Sequence, residues 1–176
     1  MGCYSYCVVV VMKVILLIGK AGVGKDESYK CIRNLYPTAE RYAFADRLKV
    51  FAYEMGWDGR KDERGRKLLQ GIGNTVREYK EGFWALNVVN IIKQEMPNIA
   101  VITDCRFPNE IQIMKDHFRD VTTIKIVRDV DEMDDISEHA LDDYKPNYTV
   151  SNDGTIADLQ NSLKDVLERR FNEIDS

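Results

Sequence analysis

One seven-residue stretch limits this chain more than anything else in it: Gly-Lys-Ala-Gly-Val-Gly-Lys, residues 19–25. It follows directly on the run Lys-Val-Ile-Leu-Leu-Ile (13–18) and leads into a segment of helical periodicity, 25–35. A β-branched and leucine-rich run that meets a glycine reads as a buried strand. The glycines let backbone N–H groups turn inward around an anion. The helix N-terminus adds partial positive charge, and Lys25 reaches the outer phosphates. An ordinary glycine turn, the plainer reading, needs neither the strand, nor the helix, nor the lysine. Gly19, Ala21, Gly22, Val23, Gly24 and Lys25, with Asp26 and Glu27 opening the helix, are therefore the candidate phosphate-binding residues. One departure matters. After Lys25 the common pattern has Ser or Thr for a magnesium ion, and here it has Asp26. A carboxylate can serve that ion through a water molecule, but the usual hydroxyl ligand is absent.

The second anchor is Ala-Val-Ile-Thr-Asp, residues 100–104. A hydrophobic strand ending in Asp104 puts a carboxylate at the sheet edge that carries the loop, where a metal-side group belongs. The competing reading is a helix-capping Asp. Arg106 lies two residues on, and its planar fork suits a phosphate.

Strands are expected at 13–18, 41–45, 99–103, 121–127 and 148–151. Helices are expected at 25–35, at 47–55 with Asp46 as its cap, at 62–70, at 83–96, from Pro108 to about His117, and at 155–171. Strands alternating with helices imply an α/β fold with a mainly parallel sheet covered on both faces. Ligands of such sheets bind outside the carboxyl ends of the strands.

Residues 60–80 carry a second constellation. Leu68, Leu69, Ile72, Val76 and Tyr79 form an apolar stripe at helical spacing. Arg66, Gln70, Gly73, Asn74 and Arg77 lie broadly opposite it. A glycine costs about 1 kcal/mol in a helix interior, so Gly71 and Gly73 predict a break. Thr75 and Glu78 have capping-box spacing and predict a fresh helix start, which would bring an N-terminus to Arg77 and suit a monophosphate. The plainer reading is a solvated face. Phe83 and Trp84 read first as core, with a base-stacking wall as the alternative for Trp84. His117 reads as surface.

With 176 residues, the chain has the length of one domain. Its 25 basic and 29 acidic residues give a net charge of -4, which argues against a general binder of nucleic acid or anionic membranes. Cys3, Cys7, Cys31 and Cys105 have no metal-type spacing with one another or with His117 and His139. They read as mostly buried thiols of a reducing, cytoplasmic compartment. The apolar run 7–18 is interrupted by Lys13 and is too short to span a bilayer. It lacks a positive leader of the secretory kind, and Tyr6 stands where a myristoylation signal needs Ser or Thr. We expect residues 1–11 to be an N-terminal extension and residues 12–176 to be a single domain.

Six segments together resemble one family: GKAGVGKD (19–26), FADRLK (44–49), RKLLQGIGNTVRE (66–78), DCRFPNE (104–110), SEHALDDY (137–144) and SNDGT (151–155). In this order they resemble the deoxynucleoside monophosphate kinases of bacteriophages, over about Lys13 to the C-terminal helix. The Gly-Lys-Asp ending of the loop, the Leu-Leu-Gln-x-x-Gly run and Asp-x-Arg-Phe-Pro-Asn-Glu are the most specific pieces. Animal phosphomevalonate kinase shares part of the pattern. The resemblance implies a P-loop NTPase kinase fold with a five-stranded parallel core sheet and with NMP-binding and lid segments. It implies ATP as donor, Mg²⁺ as cofactor and a deoxynucleoside monophosphate as acceptor, in the host cytoplasm if the protein is phage-encoded. It makes Asp46, Lys49, Gln70, Arg77, Trp84, Arg106 and Glu110 acceptor-side candidates. It places Ser-Asn-Asp-Gly (151–154), with Asn152 and Gly154, in the adenine wall, and Arg128 over the donor adenine. Ser137-Glu138 matches a family feature without a secure role, and a homodimer is left open.

Phosphoryl transfer needs positioning and positive charge more than a strong base. Lys25, the loop amides and Mg²⁺ near Asp26 and Asp104 are expected on the donor phosphates, with Arg77 and Arg106 on the acceptor phosphate. Residues 129–150 contain no arginine and one lysine, Lys145. An arginine for the transition state must then come from the cleft or from Arg128. The alternatives are a P-loop kinase of another phosphorylated metabolite such as phosphomevalonate, a nucleotide-binding switch, and a non-catalytic nucleotide-binding module. No Asn-Lys-x-Asp guanine motif supports the switch.

Overall fold

Strand β1, Lys13–Ile18, is the middle of a five-stranded sheet in the computed structural model, which describes residues 12–129 and 139–174. The order is β2 (Ala39–Tyr42), β3 (Ile99–Cys105), β1, β4 (Asp120–Val127), β5 (Tyr148–Ser151). All four pairings are parallel. Six helices are described: α1 (Lys25–Leu35), α2 (Phe44–Glu54), α3 (Glu63–Tyr79), α4 (Phe83–Glu95), α5 (Pro108–His117) and α6 (Ile156–Ile174). The expected extension 1–11 and Ser137-Glu138 lie outside the described residues.

The continuous apolar character of β1 has a physical reason. Side chains alternate across a strand, so a strand in the middle of a two-faced sheet has no polar side. Val14, Leu16 and Ile18 join one core with Trp84, Val88 and Ile92 of α4 and Ile111 and Met114 of α5. Ile15 and Leu17 join the other with Ile32 of α1 and Leu159, Leu163 and Leu167 of α6. Cys31 and Cys105 are buried free thiols in these cores.

Two expected elements are corrected. The second strand ends at Tyr42, and α2 begins at Phe44 with Ala43 as its N-cap, so Asp46 sits inside the first turn and is not the cap. The chain turns early because the Asp104 carboxylate reaches across from β3. Oδ1 accepts from the Phe44 N–H (2.8 Å) and Oδ2 from the Ala45 N–H (2.9 Å). Helix α3, secondly, runs unbroken through Gly71, Gly73 and Thr75, so there is no fresh N-terminus at Arg77. Its N-cap is Asp62, whose Oδ1 accepts from the Gly65 N–H at 2.8 Å. The helical glycines allow close approach. A Cβ on Gly73 would lie 3.0 Å from Leu48 Cδ1 of α2, and Trp84 Nε1 of α4 donates to the Gly73 carbonyl at 3.3 Å. That approach offsets the roughly 1 kcal/mol a helical glycine costs. Tyr79, read as part of the apolar stripe, is exposed.

Candidate active site

The 19–25 loop leaves β1 at its carboxyl end, where the parallel strands place ligands. Gly22 and Gly24 have φ of 79° and 99°, a region that favours glycine. A Cβ on Gly24 would also strike Asn152 Nδ2 at 2.2 Å. Lys25 Nζ is held above the loop by the carbonyls of Gly19 and Lys20, the latter at 2.7 Å. The ammonium therefore lies over the arc of the loop, poised for an anion cradled there. Helix α1 follows, with Asp26 exposed and Glu27 paired to Lys30 at 2.9 Å.

The turn after β5 is sewn to this loop. Asn152 Nδ2 donates to the Val23 carbonyl at 2.8 Å, and the Asn152 N–H donates to the Val127 carbonyl at 2.8 Å. Asp153 accepts from Ser151 Oγ (2.6 Å) and from the Asp129 N–H (3.0 Å), which holds its carboxyl below the ordinary range. Gly154 gives way to Thr155 and Asp158, whose side chains reciprocally cap α6.

Opposite the loop, the β3–α5 turn presents Arg106. Glu110 Oε2 accepts from the backbone N–H groups of Arg106 (2.9 Å) and Phe107 (3.1 Å). Glu110 is buried, and burial together with Asp104 raises its carboxyl to about 7 despite those two amides and Arg77. Arg77 comes over from α3. Its guanidinium lies on the Phe107 ring, 4.7 Å from the centroid, and Nη1 donates to Asn74 Oδ1 at 3.3 Å. Burial first, and then the Arg106 charge, lower its pKa, while Glu110 and Asp104 oppose this. Two guanidinium groups 29 positions apart in sequence are thus brought within electrostatic reach of each other. A second guanidinium near the first adds positive charge to this part of the cleft, which favours an anion there.

Asp46 and Lys49 also meet here. Asp46 Oδ2 accepts from Arg41 Nη1 and Oδ1 from Lys49 Nζ, both at 2.9 Å. Burial raises the Asp46 carboxyl, but the two cations outweigh it and leave the group below its ordinary value. Gln70 is exposed on α3. Trp84 requires correction as a base-stacking wall. It is 2% exposed, packs on Phe51 and Phe83, and spends its indole N–H on Gly73. Its ring is core, as the first reading of Phe83-Trp84 had it.

Asp104 is corrected in part. Its two oxygens cap α2, so it is a capping Asp, of a helix 60 residues back in sequence. Burial is the leading cause of its raised pKa, and the two amides oppose that rise. Each oxygen keeps a lone pair, so the cap is compatible with contact to a hydrated cation. Asp26, exposed at the first turn of α1, has the oxygen chemistry a hard cation prefers. Among the described residues no three His, Cys, Asp or Glu side chains cluster as a metal cage. Magnesium does not require one, since it keeps waters and takes one or two carboxylates beside substrate phosphates.

A cavity of about 270 Å³ sits over the carboxyl ends of β1, β3 and β4. Gly19, Lys20, Arg106 and Arg128 line it. Lys125, Leu141 and Asp142 line it too, and the sequence reading missed them. The alternation of 121–127 marks Lys125 as facing differently from its neighbours, but nothing local shows that this side meets the loop. Phe107 beneath Arg77 was also missed, since a phenylalanine beside a proline reads only as helix entry.

A five-stranded parallel sheet in the order 2-3-1-4-5, with a glycine loop from its central strand into α1, decides the architecture. This is the P-loop kinase fold. Solved structures share it across nearly the whole chain. The tunicamycin resistance protein of Deinococcus radiodurans matches with a TM-score of 0.55 at 10% identity, over 90% of this chain and 95% of that one. A putative kinase from Chloroflexus aurantiacus matches with 0.53 at 11% identity, over 90% and 97%. Shikimate kinase from Aquifex aeolicus matches with 0.50 at 14% identity, over 92% and 98%. No family model and no curated protein sequence matches the chain. Among the described residues, no helix of this P-loop kinase fold is long and apolar enough to cross a membrane.

Proposed function

We propose that the chain is a phosphotransferase that moves the terminal phosphoryl group of ATP onto a deoxynucleoside 5′-monophosphate, giving the diphosphate. One observation carries this reading: the Arg77 guanidinium of α3 is seated on the ring of Phe107, the neighbour of Arg106 in the β3–α5 turn, and Arg106 lines the same cavity as the phosphate loop. The loop, with Lys25, supplies one phosphate site, and the paired guanidinium groups supply a second. The preference for a deoxynucleotide rests on the motif resemblance. Cytoplasmic action, in the host if the chain is phage-encoded, goes with ATP as donor.

In this reading the loop amides and Lys25 hold the donor phosphates. Arg128 and the 151–154 turn flank the donor base. Arg106 and Arg77 hold the acceptor phosphate and neutralise charge as the phosphoryl group passes. The acceptor is already an anion, so no general base is needed. Asp26 and Asp104 are the carboxylates that would hold magnesium through water, and the ion would supply further positive charge on the donor phosphates.

The burial of Trp84 favours a second reading. Without that ring as a base wall, another phosphorylated metabolite such as phosphomevalonate is a competing acceptor. Steady-state assays with ATP and Mg²⁺ against dAMP, dGMP, dCMP, dTMP and phosphomevalonate decide between them. Arg77→Ala and Arg106→Ala should each raise the acceptor KM about ten- to a hundredfold and lower kcat, with ATP affinity little changed. Loss confined to ATP would move these arginines to the donor side. No turnover with any acceptor would leave a nucleotide-binding module.

A further inference from the structure

Arg77 does not reach the cleft as a free arm. Its guanidinium is boxed on three sides. The Phe107 ring lies 4.7 Å from Cζ. Asn74 Oδ1 accepts from Nη1 at 3.3 Å. The third side is Gly73, four residues earlier and so one helical turn back on the same face. A Cβ there would come within 3.1 Å of Arg77 Nη1. The missing side chain is what lets the arginine fold back over its own helix and lie on the ring. Phe107 is itself fixed, because its N–H donates to the buried Glu110 carboxylate and Pro108 follows it into α5. The same Glu110 oxygen takes the Arg106 N–H, so one carboxylate sets the backbone under both arginines.

We infer that Phe107 is a positioning residue of the acceptor site: its ring, with the gap at Gly73, aims the Arg77 guanidinium at the acceptor phosphate. This rests on the acceptor role proposed for Arg77. An arginine side chain has several rotatable bonds, and ordering it only on binding weakens affinity. A ring face that holds the planar group without using its N–H donors removes that loss and leaves the donors for the phosphate.

The test is steady-state kinetics with dAMP, dGMP, dCMP and dTMP, varying ATP and acceptor separately, on Phe107→Leu, Phe107→Tyr, Gly73→Ala, Arg77→Ala and the Phe107→Leu/Arg77→Ala double variant. Phe107→Leu should raise the acceptor KM roughly three- to thirtyfold, the span of a cation–π contact, with ATP KM unchanged. Phe107→Tyr should restore it. Gly73→Ala should raise the acceptor KM too, with some loss of Tm, because its Cβ would crowd Leu48 Cδ1 as well as Arg77 and so work against the gain in helix propensity. In the Arg77→Ala background, Phe107→Leu should add nothing. An undiminished Phe107→Leu effect in that background, or no rescue by tyrosine, overturns the inference. If Arg77→Ala itself leaves acceptor KM unchanged, or nothing is turned over, the acceptor reading of Arg77 fails instead. The seat is then judged alone by NMR. An upfield ring-current shift of the Arg77 side-chain protons, lost in Phe107→Leu, supports it, and a shift that stays overturns it.

Discussion

The side-chain amide of Asn152 donates to the carbonyl of Val23 at 2.8 Å and fills the space a Cβ would take on Gly24, 2.2 Å from where that atom would stand. The phosphate loop is therefore buttressed from the far end of the chain. Asn152→Ala should leave the fold intact and soften the loop, at a cost of about 1 kcal/mol for the lost bond. The expected result is a higher ATP KM, an unchanged acceptor KM and a Tm lower by a few degrees. Gly24→Ala should be far worse, and adding Asn152→Ala should not rescue it, because the left-handed backbone remains strained. Full rescue by the double variant would show that the clash alone matters.

Lys25→Ala should keep the fold and lose the chemistry. Its ammonium is held by the loop carbonyls of Gly19 and Lys20, and Lys25 belongs to neither hydrophobic core. A positioned cation that strengthens in the transition state accounts for about 10²–10³ in kcat. Circular dichroism and kcat measured on the same sample check this. A folded variant with near-normal kcat would remove the phosphate-loop assignment.

Trp84 separates core from site. Trp84→Ala should destabilise by about 3–5 kcal/mol, the range for emptying a large aromatic position. Trp84→Phe keeps a ring, loses the bond to the Gly73 carbonyl and leaves that buried acceptor short of a partner, at about 1–3 kcal/mol. Acceptor KM of the folded Trp84→Phe protein should match wild type. A large KM rise with unchanged Tm would return Trp84 to the substrate wall.

Glu110 makes stability depend on pH. Its folded pKa is about 7 against an ordinary 4.5, so between those values the folded chain holds more of this proton than the unfolded chain does. Stability from this group is present below about pH 4.5 and is lost as pH rises through 7, by at most about 3 kcal/mol. Glu110→Gln cannot titrate. Denaturant unfolding at pH 5, 6, 7 and 8 should show the variant gaining on wild type as pH rises. A constant difference, or one of opposite sign, would mean Glu110 is ionised throughout.

Residues 13–25 announced their own structure, because strand burial, loop and helix start are local properties written at consecutive positions. The strand at Tyr148–Ser151 and the helix from Pro108 to His117 were legible for the same reason. Helix α3 was not. Propensity charges each glycine for its lost Cβ, but whether that loss is repaid depends on what stands opposite, and Leu48, Trp84 and Arg77 come from elsewhere on the chain or from one turn away. Asp104 was placed correctly at the strand end, but which of two uses its oxygens take was decided by the amides of Phe44 and Ala45 arriving there. The arginines were visible as types at positions. Their meeting was not, since a guanidinium finds its ring and its neighbour only after α3 has been laid against the β3–α5 turn. Local chemistry determined that there is a phosphate loop on a parallel sheet. Packing between distant segments decided which polar groups face it and which are consumed in holding the frame.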